Sequence, residues 1–310
     1  MVDRRALRTD GAISASALVG CLAENYECDG GAVAEPDTAM DARRHAGQED
    51  PEFVESLARG LQLLECFTAM SPSIGLSELS RRSGLGKRTT YRLAKTLQTL
   101  GYLAQDPATK MYSPSLRVLD LGFTVLESLE LRHRARPYLD ALSRRTHEFV
   151  SLGMRDGMQI VMVDTLKPAG ITVGVQTYVG WRDPAHVSSH GKVLLAWLSD
   201  DALEVLYPEE ELEARTERSI ASLSRLKAEL ADVRERGFAI NDEESSKGVR
   251  SVAAPVRDRT GKVVGSVNLA VPTTRASRKR LESEYAQLVL ECTRDLSRAL
   301  GHRDAEAGGS

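Results

Sequence analysis

From about Ser56 onward the apolar positions fall on a helical period. Leu57, Leu61 and Leu64 stand at i, i+4 and i+7, with Leu63 and Phe67 widening the stripe. That spacing predicts a core-facing helix with Ser56 as its cap. A second helix is expected to open at Ser77, with Glu78 complementing its N-terminus, and to stop at Gly84-Leu85-Gly86. A third runs from about Lys87 to Leu100. Leu93, Leu97 and Leu100 share one of its faces, so Arg88, Tyr91, Arg92 and Lys95 point the other way. Tyr102-Leu103 and Met111-Tyr112 flank Asp106-Pro107-Ala108-Thr109, which is turn chemistry between two short strands. Helix, tight turn, helix and hairpin in this order describe a winged helix-turn-helix over 52–114.

Ser115 to Leu131 reads as an amphipathic linker helix (Leu116, Leu119, Phe123, Leu126), followed by a helix ending near His147. Beyond it the period changes to two. Phe149–Met154, Gln159–Thr165 and Ile171–Val175 are predicted strands, and Ser189–Leu198 a helix. Ser222–Arg236 is helical, with Leu223, Leu226, Leu230 and Val233 on one stripe and Gly237 as terminator. Val249–Val256 and Val263–Val271 form strands around Asp258-Arg259-Thr260-Gly261, and a last amphipathic helix carries Leu281, Tyr285, Leu288, Cys292 and Leu296. Strands and helices mixed in this way give an α+β sheet domain over 132–301. Residues 1–51 lack periodicity and read as a disordered extension, and 302–310 as a disordered tail.

Composition changes this picture little until charge is followed locally. The net charge of -3 excludes a globally basic nucleic-acid binder. Yet Arg81, Arg82, Lys87, Arg88, Arg92, Lys95 and Lys110 face the single acid Asp106 between positions 81 and 110. That excess is enough to neutralise phosphates. No apolar run approaches the ~20 residues that span a bilayer, and the N-terminus does not read as a signal peptide. Cys21, Cys28, Cys66 and Cys292 show neither a C-x-x-C pair nor zinc spacing. The expectation is a cytoplasmic protein with reduced thiols and no metal or other cofactor.

The segments Ser56-Leu57-Ala58-Arg59-Gly60-Leu61 and Gly84-Leu85-Gly86-Lys87-Arg88-Thr89-Thr90-Tyr91-Arg92-Leu93 resemble the winged helix of the isocitrate-lyase-regulator (IclR) family of bacterial transcription factors. So do Pro184–Ala196, Asn241-Asp242-Glu243-Glu244 and Gly248–Val256, in the family's order, and the likeness spans about Phe53 to Leu300. The resemblance implies a GAF-like effector-binding domain and homodimers or homotetramers on palindromic double-stranded operator DNA. Arg88 stands where the family usually has Ser or Thr, and Thr90 where it has an aliphatic residue, so an operator sequence does not transfer. Phe53–Leu64 and Gly180–Pro184 lean toward the subgroup regulating aromatic-acid (protocatechuate, hydroxybenzoate) catabolism.

For DNA, Arg88 and Arg92 are the expected base readers, since arginine bonds guanine O6 and N7 together. Thr89 and Thr90 sit in the first helical turn and are expected on phosphate, with Lys87, Lys95 and Lys110 giving salt-dependent positioning. Ser77 and Tyr91 complete this set. For each residue alone, a solvated basic helix face is the bland alternative.

For an effector, strand alternation puts Val264, Ser266, Asn268 and Ala270 on one face, opposite Val263, Gly265, Val267, Leu269 and Val271. Alternation by itself favours a solvated face there. The family's pocket positions fall on Ser189, His190, Asn241, Val249, Ser251, Asn268 and Ala270. Ser189 and His190 open a helix whose free N–H groups suit a small carboxylate. Arg182 is either a carboxylate clamp or a surface salt bridge. Tyr178 and Trp181 either stack on an aromatic ring or fill core. The adjacent acids Asp242, Glu243 and Glu244 raise an enzyme alternative, but consecutive acids on an extended chain diverge. Ser189 beside His190 lacks the G-x-S-x-G elbow. The expectation is therefore a ligand-responsive repressor or activator of a catabolic operon. A metabolite-binding module or enzyme with a non-functional DNA-binding domain is the alternative.

Overall fold

The structure, a computed structural model, describes residues 52–68, 70–168 and 177–303. The expected N-terminal extension over 1–51, the strand over Ile171–Val175 and tail residues 304–310 lie outside the described residues. The chain divides between Pro114 and Ser115 into two units.

The first unit holds α1 (Glu55–Glu65), α2 (Leu76–Ser83), α3 (Lys87–Thr99), β1 (Leu103–Gln105) and β2 (Tyr112–Pro114), the last two paired antiparallel. Its small core is Leu63, Cys66, Ile74, Leu79, Ala94, Leu103 and Tyr112. This differs from the leucine spacing. Leu57 and Leu61 are exposed, and the buried stripe is Leu63 and Cys66 with Leu64 and Phe67 beside them. A three-helix unit this small buries only a narrow face of each helix. Neither serine caps as expected: α1 follows Val54 and α2 follows Gly75, leaving Ser56 and Ser77 inside their first turns. Gly84 ends α2 at φ 66, a left-handed conformation that suits glycine, whereas Gly86 at φ -62 requires no special residue.

The second unit opens with α4 (Arg117–Ser128), in which no residue is buried, and α5 (Glu130–Thr146). There follow β3 (Phe149–Asp156), β4 (Gln159–Leu166), β5 (Arg182–Pro184), α6 (Ser189–Leu195), α7 (Asp200–Leu206) and α8 (Leu223–Arg236). Then come β6 (Ala239–Asp242), β7 (Val249–Arg257), β8 (Val263–Pro272) and α9 (Ala286–Ala299), α9 being preceded by a π turn over Leu281–Tyr285. The six strands form one antiparallel sheet in the order β5-β4-β3-β8-β7-β6. β5, β6 and α7 are elements that periodicity did not reveal, being only a few residues each.

Both sheet faces are covered. Val150, Leu152, Val252, Ala254, Val256, Val267, Leu269 and Val271 pack with Ala135, Leu139 and Leu142 of α5 and Val289 and Leu296 of α9. The other face meets α6 and α8, where Ile160, Met162, Ala239 and Ala253 join Val193, Leu195, Leu226 and Leu230. The alternation predicted for β8 is therefore present from Gly265 to Val271, whereas the bulge opposite Val256/Arg257 exchanges the faces expected for Val263 and Val264. Its Ser266-Asn268-Ala270 face is not solvated but buried, at 0%, 5% and 6% exposure.

Candidate DNA interface and effector site

α3 turns its face about Thr90 and Ala94, both fully buried, toward the core. Arg88, Tyr91, Arg92 and Lys95 consequently lie on the exposed side, as the 100° advance per residue requires. No ion pair engages Lys87, Arg88 or Arg92 among the described residues, while Lys95 Nζ donates within the helix to Gln98 Oε1 at 3.2 Å. Arg81 and Arg82 behave differently. Both bond to Glu78, at 2.7 Å each, and pull its carboxyl down to about 2. The uncommitted cations therefore sit on α3 rather than α2. Thr89 is half-buried and Ser77 exposed.

Two expectations about this helix need correction. Thr90 is not available to phosphate: its hydroxyl faces inward, 3.4 Å from the Leu85 carbonyl oxygen and 3.2 Å from that of Gly86. Leu100 is not core but 52% exposed, since α3 ends at Thr99 before that position can close on the small hydrophobic centre. In the wing, Asp106 Oδ1 accepts the Ala108 and Thr109 N–H groups at 2.8 and 2.7 Å. These bonds hold the Asp106 carboxyl below its ordinary range. Lys110 follows at φ 59 with its side chain exposed.

In the second unit, tertiary structure gathers most of the expected effector residues on the sheet face under α6. Ser189, His190, Asn241, Ser251, Asn268 and Ala270 are all buried, and Val249 is half-buried. Strand register aligns them: Asn241 pairs with Ser251, and Ser251 with Ala270. Asn268 Nδ2 donates to Ser189 Oγ at 2.7 Å, which lies 2.7 Å from Ser251 Oγ. Asn241 donates to Ser245 Oγ at 2.7 Å and accepts the Glu244 N–H at 2.8 Å.

His190 lies between two serines that sequence reasoning missed. Its Nε2 is 2.9 Å from Ser151 Oγ and its Nδ1 2.6 Å from Ser266 Oγ. Burial pushes its pKa down to about 3, so the ring is neutral, with one nitrogen donating and the other accepting. Gly153 permits this approach: a Cβ there would sit 2.7 Å from His190 Nδ1. Ser266 was visible as a polar position in the alternation of β8. Ser151 carried no signal, because its meaning depends on β3 lying beside β8.

Arg182 forms the surface salt bridge of the two readings. It pairs with Asp156 at 2.7 Å and Gln159 at 3.1 Å on an exposed edge strand. Tyr178 is half exposed and meets Trp181 edge-on at 5.4 Å. Of the three consecutive acids only Glu244 diverges; Asp242 and Glu243 converge on Arg218 and Arg250. Asp242 takes Arg250 and Arg218, Glu243 takes Arg218, and Glu244 takes Lys192 at 2.7 Å. Ser189 and His190 bond to different partners and form no catalytic pair.

Comparison with known proteins supplies the last observations. Residues 123–298 match the family described as "Bacterial transcriptional regulator IclR C-terminal", and residues 56–107 that described as "IclR helix-turn-helix domain". The chain is 32% identical to the HTH-type transcriptional regulator XynR of Escherichia coli, covering 81% of this chain and 98% of that protein. It is 33% identical to the Pca regulon regulatory protein of Pseudomonas putida, over 87% and 92% of the two chains. The crystal structure of an IclR family transcriptional regulator from Brucella abortus superposes with a TM-score of 0.67 at 30% identity, covering 81% of this chain and 94% of that one. These relatives are transcriptional regulators, not enzymes. Among the described residues no helix is long and apolar enough to cross a membrane.

Proposed function

We propose that this chain, which belongs to the IclR family of bacterial transcriptional regulators, controls a catabolic operon in the cytoplasm in response to a small organic acid. The observation that carries the DNA half is the exposed face of α3, whose Lys87, Arg88 and Arg92 lack ion-pair partners among the described residues. Arg88 and Arg92 read base edges, and Ser77, Lys87, Thr89, Lys95 and Lys110 hold the backbone, with Tyr91 beside them. Thr90 is left out because it is buried.

Ser189, His190, Asn241, Val249, Ser251, Asn268 and Ala270 form the effector site, offering hydroxyl and amide groups on an uncharged, largely buried floor. The similarity to a protein named for the pca regulon favours an aromatic acid. The regulator acts as a homodimer or homotetramer, since half-sites one helical turn apart need paired recognition helices. The exposed apolar residues of α1 (Leu57, Leu61) and α4 (Leu119, Leu121, Phe123, Val125) supply surface for such pairing. α4 couples the two domains. The acid must favour one arrangement of the paired DNA-binding domains, because equal affinity for both would shift nothing.

A mobility shift with the DNA upstream of its own gene tests the regulator reading, and absence of a retarded band removes it. Calorimetry against protocatechuate, 4-hydroxybenzoate, pyruvate and glyoxylate tests the sensor. Heat from none of the four removes the organic-acid reading.

A further inference from the structure

The exposed side of α3 holds Arg92, Lys95, Thr96 and Thr99 at i, i+3, i+4 and i+7. That is the spacing with which the third helix of a homeodomain lays side chains along the major groove. With Tyr91 and Leu100 these residues line a hollow of about 380 Å³. The two threonines are not ordinary donors. Thr96 Oγ1 donates to the Arg92 carbonyl at 2.9 Å, and Thr99 Oγ1 to the Lys95 carbonyl at 3.0 Å. A hydroxyl has one proton, and in both cases it is spent on the helix backbone. What each side chain retains for an approaching base is its methyl branch. Tyr91, 51% exposed, adds ring carbon on the other flank of the same face.

We infer that Thr96 and Thr99, with Tyr91 beside them, read thymine in the operator by packing carbon against its C5-methyl group, while Arg92 and Lys95 take the polar contacts. This rests on α3 being the recognition helix. Thymine alone among the bases presents a methyl in the major groove, next to O4, an acceptor that a hydroxyl without a free proton cannot serve. Discrimination at these positions is therefore apolar. The other use of a threonine oxygen, accepting from adenine N6 or cytosine N4, would give the opposite result in the test.

The test selects duplexes from a randomised pool with the full-length protein. The selected duplex is then rebuilt with deoxyuridine in place of each thymidine in turn, a change that removes one methyl group and nothing else. Dissociation constants are expected to rise about fourfold at the contacted thymines, the worth of one buried methyl group. Thr96→Ser keeps the hydroxyl and drops the methyl, so it should erase the thymine-to-uracil ratio at one position. Thr96→Val keeps the methyl and should retain that ratio. Uracil bound as well as thymine at every position overturns the inference, as does a ratio kept by the serine variant and lost by the valine one. Failure to enrich any sequence overturns the recognition-helix reading itself, a distinguishable outcome.

Discussion

Lys192→Met would strip a charge that the fold has buried beside two acids. Lys192 is 1% exposed, with its Nζ 2.7 Å from Glu244 Oε1 and 3.4 Å from Glu229 Oε1. Glu229 would keep Arg236 at 2.6 Å. Glu244 would keep no cation among the described residues, and its Oε2 already lacks a hydrogen-bond partner. Burial holds its pKa above the ordinary carboxylate value even against the pull of Lys192.

Breaking a buried pair costs about 3–5 kcal/mol, because an uncompensated charge stays behind. Glu244 has one exit, which is to take up a proton. At pH 7, protonating a carboxyl of ordinary pKa near 4.3 costs ~3.7 kcal/mol, which caps the electrostatic loss. At pH 5 the cap falls to ~1 kcal/mol. The sign follows from linkage: with the folded pKa raised, the folded variant binds the proton more tightly than the unfolded chain. Its deficit therefore shrinks as pH falls. Trp181 and Trp197 both lie in the second unit, so tryptophan fluorescence during urea unfolding reports on the right domain. The deficit of Lys192→Met against wild type should shrink by about 2–3 kcal/mol from pH 7 to pH 5, and Lys192→Met/Glu244→Gln should recover part of it at pH 7. Equal losses at both pH values, or strict additivity in the double variant, would refute the reasoning.

Other expectations follow from the same geometry. Arg92→Ala should weaken operator binding by about 1–3 kcal/mol if it reads guanine, with the circular dichroism spectrum unchanged; unaltered affinity at moderate salt removes its role. His190, with a folded pKa of about 3 against about 6.5 unfolded, takes up a proton in the unfolded chain first. Wild-type stability should fall by up to ~1.4 kcal/mol per pH unit from pH 6.5 downward, and His190→Gln should flatten that slope; identical slopes in urea titrations would count against it. Gly191→Ala would place a Cβ 2.1 Å from the Ala185 carbonyl oxygen, which is backbone and cannot yield. Its melting temperature should drop by several degrees, beyond the ~1–3 kcal/mol of ordinary overpacking, and an unchanged value would show that α6 sits further from Ala185.

Periodicity carried much of the site. The outward face of α3 is legible because helical geometry makes residues 88, 91, 92 and 95 neighbours whatever surrounds them. The polar side of β8 is legible for the same reason at period two. Leu57, Leu61 and Leu100 show the limit: a leucine on the right stripe is buried only if the domain has enough material to cover it. Arg182 shows another, since its role turned on Asp156, an acid 26 positions earlier that is brought alongside by strand pairing.

Local order of residues thus determined the winged helix, the alternating strands and the family motifs, because each is written within a few turns or strand repeats of chain. Tertiary approach alone decided that Ser151 and Ser266 hold a neutral His190, and that Lys192 meets Glu244 across 52 positions. Those pairings depend on how closely α6 settles on the sheet, a distance governed by small residues such as Gly153 and Gly191 and by packing from both layers. No repeat or spacing in the chain encodes it, since burial and proton affinity belong to the assembled interior rather than to any segment.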